Sequence, residues 1–468
     1  MSRISISMLV LTVMLSACSG GGQKSETQES KDMFTGAKGE VKLMTLDPGH
    51  FHAALVQKSM YDQIDPTVHI YAPEGPELQA HLNLINSFNN RAENPTSWKS
   101  EVYTGPDYLE KMLADKPGNV MVTAGNNAKK ADYILKTIDA GINVLADKPM
   151  IILPEEFPVL EKAFKIADEK GVLLYDIMTE RYEITTMIQR ELSMMPEVFG
   201  TLEVGTPENP AITKESVHHF FKYVSGSPLQ RPAWFFDVNQ QGEGIVDVTT
   251  HLVDMIQWEA FPEVTLKKED VEITSASRWA TELTPEMFKK STKLDEYPDF
   301  LKKDVENDIL KVYANGEINY TLKGVHAKVS VIWNFEAPEG TGDTHYSIMR
   351  GTNCNLIIKQ GADEGYKPTL YVEPVAGTNA EAFAAVLDKA VNKDLQAKHP
   401  GLELKKLKDD LWMVNIPEKY KVGHEAHFGQ VTKKYLEFLV KGEMPEWEVP
   451  NMIVKYYTTT EGLKAAMK

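Results

Sequence analysis

A two-part α/β chain is predicted: a doubly wound parallel sheet first, then an α+β domain on a large, open, mostly antiparallel sheet. Three observations carry this prediction. Residues 118–150, GNVMVTAGNNAKKADYILKTIDAGINVLADKPM, run from an apolar stretch through a Gly/Asn turn, an amphipathic segment and a Gly into a second apolar stretch, the signature of a βαβ unit. Beyond Arg181 the pattern changes to short, alternating, β-branched runs that suit antiparallel strands. From about Gly423 helical periodicity returns. A chain of 468 residues, 42% hydrophobic, can bury two moderate cores.

The elements follow in order. Arg3 precedes an apolar run over 4–15, and LSAC at 15–18 resembles the bacterial lipoprotein box, so residues 1–18 read as a secretory signal too short for a membrane span. Cys18 is then the lipidated first residue of the mature chain, and residues 19–38, rich in Gly, Ser, Gln and Lys, read as a flexible tether. The expectation is an exported, periplasm-facing lipoprotein held to a membrane only through that lipid. Within a first domain at 39–180, strands are predicted at 41–46, 68–71, 120–123, 144–146 and 172–175, with a helix starting near His50 and a crossover helix over 128–140. Asp147, Lys148 and Pro149 follow the strand at 144–146, at the edge where open α/β sheets place their ligands. Pro149 fixes Lys148 at a forced turn. In a second domain at 181–468, strands are expected at 202–205, 271–275, 310–314, 318–323, 327–333 and 355–359, and helices in 424–442 and 452–468. The lysines of 402–408 read as a solvated helix face, and Cys354 as a buried structural thiol.

The most informative stretch is 242–258, GEGIVDVTTHLVDMIQW. Asp247 and His251 stand four apart in a segment otherwise apolar at helical spacing, which places a carboxylate and an imidazole on one helix face. Such a carboxylate fixes the histidine's tautomer and tunes it for proton transfer near neutral pH. The competing reading is a capped, half-buried helix whose polar groups are satisfied locally. Together, AGINVLADKP and QGEGIVDVTTHLVDMIQW resemble the (A)GKHVxxEKP and GGGxxxDxGxHxxDxxxW stretches of the Gfo/Idh/MocA oxidoreductases. Asp147 replaces the Glu of the first, and Asp247, His251, Asp254 and Trp258 match the second in spacing. The resemblance implies a Rossmann-like first domain, NAD or NADP as cofactor, a sugar or glycoside hydroxyl as substrate, and Lys148, Asp247 and His251 as the catalytic trio. His251 would move the hydroxyl proton, Asp247 would orient it, and Lys148 would polarise the oxygen. The resemblance also implies a sheet face for a homo-oligomer, dimer or tetramer.

The nucleotide end departs from the family. The strand at 41–46 runs into DPGHFHAALV where the family shows GxGxxG; only Gly49 remains, with Asp47 at the tight-turn position and His52 at the helix-packing one. His50 and His52 either contact phosphate or are merely solvated. Glu74, the nearest acidic residue after the strand at 68–71, is either the ribose partner or a loop residue. Asn126 and Asn127 in the turn after 120–123, with Asp147 and Lys148, complete the cofactor-binding set, and NAD is not distinguished from NADP.

Arg181 and Tyr182, beside Glu180, fall where the family places a polar cluster facing the nicotinamide. His218, Lys222, Tyr223, Arg231 and Trp234 crowd the segment before the 242–258 motif; with His424 they read as carbohydrate contacts or as ordinary interdomain packing. The pairs His218/His219 and His424/His427 admit a metal reading, yet no HExxH or CxxC signature is present and adjacent histidines on a strand face opposite ways, so no metal is expected. A net charge of −17 argues against nucleic acid, whose phosphates need clustered Lys and Arg.

The expected function is NAD(P)-dependent oxidation of a sugar or glycoside hydroxyl, with oxidation of a glycoside at C3 to a keto-sugar as the specific form. Free NAD is not regenerated outside the cytoplasm, so the cofactor is expected to be tightly held. The alternatives are an NAD-dependent glycosidase using transient C3 oxidation and elimination, and a non-catalytic sugar-binding lipoprotein on a dehydrogenase scaffold.

Overall fold

In the computed structural model, which describes residues 34–224, 227–337 and 341–468, six strands form a fully parallel sheet. They are β1 (Leu43–Leu46), β2 (Thr67–Tyr71), β3 (Lys99–Tyr103), β4 (Val120–Thr123), β5 (Asn143–Asp147) and β6 (Leu174–Ile177), in the order β3-β2-β1-β4-β5-β6. Strand order reverses at β1, which pairs Met44 with His69 on one side and with Met121 on the other. Right-handed crossovers then send the connecting helices to opposite faces, and a crevice opens between the carboxyl ends of β1 and β4. Every residue of β1, β4, β5 and β6 is buried, as a strand covered on both faces requires, whereas β3 exposes Lys99, Ser100 and Glu101 along the edge. The helices are α1 (His52–Leu55), α2 (Pro76–Asn90), α3 (Tyr108–Asp115), α4 (Lys130–Asp139) and α5 (Phe157–Lys170). The doubly wound sheet is as predicted, except that the helix expected near His50 is a single turn. Cys18 and the residues before it lie outside the described residues.

A second, mixed sheet follows. Its main path has nine strands: β7 (Ile212–Phe221), β8 (Val271–Leu283), β9 (Ile309–Leu322), β10 (Val325–Glu336), β11 (Thr344–Arg350), β12 (Cys354–Gln360), β13 (Thr369–Pro374), β14 (Glu403–Lys408) and β15 (Leu411–Asn415). The order is β8-β9-β10-β7-β11-β12-β13-β15-β14, antiparallel throughout except where β7 runs parallel to β10. The strand expected at 202–205 is reduced to isolated bridges, Leu202 with Gly351 and Gly205 with Pro210. The lysines expected on a helix face at 402–408 belong instead to β14, exposed at the edge of the sheet, where alternating lysines discourage further strand addition. Cys354 is buried as expected, and burial pushes its thiol up to about 12.

Helix α6 (Ile184–Ser193) and helix α7 (Thr249–Ala260) cover the second sheet: Ile188, Leu252, Val253 and Ile256 share a core with Ile318, Val329, Leu356 and Val372. Two last helices, α8 (His424–Lys441) and α9 (Glu448–Ala466), return to the first sheet. Phe428, Tyr435, Leu439, Met452 and Tyr456 pack into the core that β1 to β6 build, while Val454 and Leu463 on α9 join the second core. Residues 34–468 form one compact unit, and the change from the first sheet and core to the second falls near the boundary expected at 180/181. Among the described residues no helix is long and apolar enough to cross a membrane.

Candidate active site

The carboxyl ends of β1, β5 and β6, strand β7, the turn before α7 and the start of α8 enclose a cleft of about 500 Å³. Lys148, Asp247 and His251 all line it. Lys148 leaves β5 through a cis peptide bond to Pro149, and its Nζ lies 2.7 Å from Asp247 Oδ1. Asp247 Oδ2 accepts from the Gln241 side-chain amide at 3.0 Å. Asp247 therefore fixes Lys148, not His251 as the four-residue spacing suggests. The reason is local: α7 begins only at Thr249, and the His251 N–H donates to Val248 O at 2.9 Å, three residues back, so Asp247 occupies a turn that aims it elsewhere. His251 Nδ1 is buried without a hydrogen-bond partner. Burial first, then the Lys148 and His424 charges, hold His251 well below its ordinary pKa, leaving a neutral imidazole at physiological pH. Glu180, on the same wall, moves the other way: burial, reinforced by Glu183, raises its carboxyl to about 7.

The expected substrate groups divide. His218, Lys222 and His424 line the cleft. His218 stacks on Trp333 with ring centroids 5.1 Å apart, and Lys222 Nζ donates to Asp343 Oδ2 at 2.5 Å. Both His218 and His219 place Nδ1 near Asp343, at 3.3 and 3.0 Å, so these neighbours share a partner instead of facing apart. Burial opposes ionisation of Asp343, but the hydrogen bonds from His218 and His219 and the Lys222 charge overcome it and hold the carboxyl far below its usual range. Asp343 and Trp333 were not foreseen; Asp343 stands in a Gly/Thr-rich stretch of the sequence with no spacing signal. Arg231 lines the cleft too, with its guanidinium 4.2 Å from the Phe235 ring centroid, donating to Phe220 O and His219 O.

Arg181, Tyr182, Tyr223 and Trp234 do not line this cleft. Arg181 is buried, bidentate to Asp254 at 2.6 and 2.7 Å and bonded to Glu448 at 2.7 Å, pairings a substrate contact would have to break. The same cluster continues through Lys455, which pairs with Asp254 at 3.0 Å and Asp176 at 2.6 Å. The Tyr456 hydroxyl donates to Asp176 and accepts from the Met150 N–H, two residues past Lys148. Tyr182 packs on the first core, Tyr223 is 66% exposed beyond the end of β7, and Trp234 covers Gly49 at a separate, smaller cavity.

That smaller cavity, about 170 Å³, lies at the crevice beside β1 and is lined by Asp47, Gly49, Glu74, Asn126, Lys129 and Trp234. Lys129 Nζ is 3.1 Å from Asp47 Oδ2. The loops after β1 and β4 touch: a Cβ on Gly125 would come 2.4 Å from Asp47 O and 2.8 Å from Gly49 N. Asn126 donates to Gln240 Oε1 and Asn127 to Gln241 O, both at 2.7 Å, anchoring the turn that carries Asp247. His50 and His52 do not line this smaller cavity; they line the main cleft, His50 partly exposed and His52 buried with its Nδ1 3.0 Å from Asp147 Oδ2.

Residues 188–467 match the family model described as "Putative oxidoreductase C terminal domain". The crystal structure of a "putative oxidoreductase" from Parabacteroides merdae is 59% identical, with a TM-score of 0.91 over 93% of this chain and 99% of that one. A levoglucosan dehydrogenase bound to NADH and levoglucosan shares the fold at 11% identity, TM-score 0.56, over 91% of this chain and 97% of that one. So does a mutant 3-ketoreductase from Actinomadura kijaniata bound to TDP-benzene and NADP, at 13% identity, TM-score 0.53, over 91% and 97%. No curated protein matches the chain.

Proposed function

The chain belongs to the oxidoreductases that carry this C-terminal domain, of the Gfo/Idh/MocA type, and from that premise we propose that it is an NAD(P)-dependent enzyme oxidising a carbohydrate hydroxyl in the main cleft. The residues fit such a cofactor with a changed set of donors. Gly49 and Gly125 keep the crossing over β1 and β4 free of side chain; a Cβ on Gly49 would sit 3.3 Å from Gly125 Cα and 3.4 Å from Trp234. The His50 N–H, which a glycine fingerprint aims at a diphosphate, instead donates to Ala124 O at 3.1 Å. Lys129 and Asn126 would hold the diphosphate, Glu74 the adenosine ribose, and Asp147 with Lys148 the nicotinamide end. When bound, the nicotinamide supplies the hydride acceptor.

The chain's own groups do the proton chemistry. Lys148, fixed by Asp247, donates a hydrogen bond to the substrate oxygen, and neutral His251 accepts the hydroxyl proton at an imidazole nitrogen. The His218–Trp333 stack offers a sugar ring an aromatic face, and Lys222 with Asp343 offers its hydroxyls partners. The observation that carries the reading is the buried Lys148–Asp247 pair in one cleft with His251, whose Nδ1 has no partner. Oxidation of glycosides at C3, with a cofactor retained between turnovers in an exported protein tethered through Cys18, is the specific form proposed. Redox-neutral cleavage of a glycosidic bond is the second reading; it needs a further proton-transfer group, and Glu180, pushed up to about 7, supplies one.

The test is His251→Asn. Melting temperature is expected to hold while turnover of glycosides with added NAD or NADP falls by roughly 10²–10⁴-fold. Near-normal turnover by the folded variant removes His251 from catalysis. Absence of any dinucleotide, retained or added, on the parent protein defeats the redox reading itself.

A further inference from the structure

The turn after β1 has lost two fingerprint glycines, and the cleft end of that turn has gained two imidazoles, His50 and His52. Their rings meet edge to face with centroids 4.1 Å apart. Asp147, at the end of β5, completes a cluster in which one ligand-capable atom from each residue lies within 4.8 Å of the others, with Asp147 Oδ2 and His52 Nδ1 at 3.0 Å. Tetrahedral coordination at zinc-ligand distances of about 2.0–2.2 Å puts neighbouring ligand atoms roughly 3.3–3.5 Å apart, so small side-chain rotations suffice to bring all three onto one ion. The hydrogen bond His50 Nδ1 accepts from the His52 N–H, at 3.3 Å, is long enough to yield. A fourth imidazole, His424 on α8, has its ring centroid 5.1 Å from that of His52.

We propose that His50, His52 and Asp147 bind a divalent transition cation of the zinc class, with the remaining position open to the cleft. Two imidazoles and a carboxylate are the donor set such cations take, and three protein ligands with one open position characterise a reactive site, not a structural one. Lys148 is paired with Asp247, and Lys130 spends its contacts on Asn127 Oδ1 and on the main-chain oxygen of Asp147 at 2.8 Å, so neither amine takes the Asp147 carboxylate, whose Oδ2 faces His52. A cation there would polarise a carbonyl or hydroxyl oxygen presented beside Lys148. Keto-sugars and keto-glycosides, whose carbonyl oxygen can take that one open position, are the ligand class it would favour. The site does not depend on the redox reading, because no step of it needs a dinucleotide.

Cobalt(II) is the probe. The full chain, stripped by a chelator and dialysed, is titrated with Co²⁺ while its visible absorption and bound metal are measured. A single equivalent with intense bands of low coordination number is expected. His50→Gln and His52→Gln should each weaken binding by more than the roughly 10–100-fold typical of losing an outer-shell partner, and His218→Gln should leave it unchanged. Circular dichroism and melting temperature establish that each variant is folded, and His50→Gln, on the less buried ring, carries the test if His52→Gln does not fold. No Co²⁺ bound by the parent, or binding indifferent to His50→Gln, overturns the site. Dinucleotide binding followed by fluorescence on the same samples reports separately on the redox reading.

Discussion

Burial in the cleft drives two titratable groups apart: the His251 imidazole is held neutral and the Glu180 carboxyl is pushed up to about 7. For Glu180 the folded pKa, about 7, lies above its ordinary value of 4.5, so the folded state holds the proton more tightly than the unfolded chain. The stability this contributes is fully present below about pH 4.5 and is lost as pH rises through 7. Glu180→Gln cannot ionise, and at pH 8 it should be more stable than the parent by on the order of 2 kcal/mol, with little difference at pH 4.5. Urea unfolding at the two pH values measures this; an equal difference at both would show that Glu180 does not titrate in this window. That Lys148, Asp247 and His251 meet in one cleft was legible in the sequence, since the spacing of their motifs survives even where Asp147 replaces a Glu. Their partnership was not, because residue spacing says nothing about where a helix begins. Arg181 was misread for a related reason: a basic residue after a strand looks the same whether it faces a substrate or two buried carboxylates.

Helix α7 is held by charge as well as by apolar packing. Asp254, one turn past His251, takes both Arg181 and Lys455 at full burial, and these two cations hold its carboxyl far below the usual range against the opposing effect of burial. Asp254→Asn keeps the shape yet leaves two buried cations short of a partner, so a loss of roughly 3–5 kcal/mol is expected by urea unfolding. A loss under 1 kcal/mol would mean that Asp176 and Glu448 compensate. Buried charge also explains which strands the sequence hid. In β7, Lys214 interrupts the apolar pattern, but its Nζ is 2.7 Å from both Glu259 oxygens on α7, so it is an interior residue. The Asn315–Gly316 pair looks like a turn between two strands, yet β9 continues through it, with a break in register against β8 beside Asn315. Asn315 bonds Trp279 O and the Trp333 N–H on the flanking strands, and Gly316 leaves room for Ile245, which a Cβ would approach to 2.7 Å.

Several histidines far apart in the molecule are held below their ordinary pKa by burial. Burial lowers His81 and His427 to about 4; burial, with the Lys214 charge, lowers His345 to about 3. Their contribution to stability is present above about pH 6.5 and lost as pH falls through 4. Each should cost about 1–2 kcal/mol by pH 5, so urea midpoints measured at pH 7, 6 and 5 should fall steadily; a flat profile would mean that the folded protein takes up protons on these rings as readily as the unfolded chain does. The two-sheet plan was legible from the change in periodicity near Arg181. The return of α8 and α9 to the first sheet was not, because an amphipathic pattern shows that a helix has a buried face without showing what covers it. That return has a consequence for biogenesis. Synthesis delivers β1 to β6 and Lys148 hundreds of residues before Lys455 and Tyr456. Until these emerge, Asp176 lacks its cation and the turn after Lys148 lacks the hydroxyl that ties down Met150. The frame behind Lys148 is therefore the last thing a nascent copy acquires, and a prematurely terminated copy holds Lys148, Asp247 and His251 without the buried partners that fix the wall they stand on.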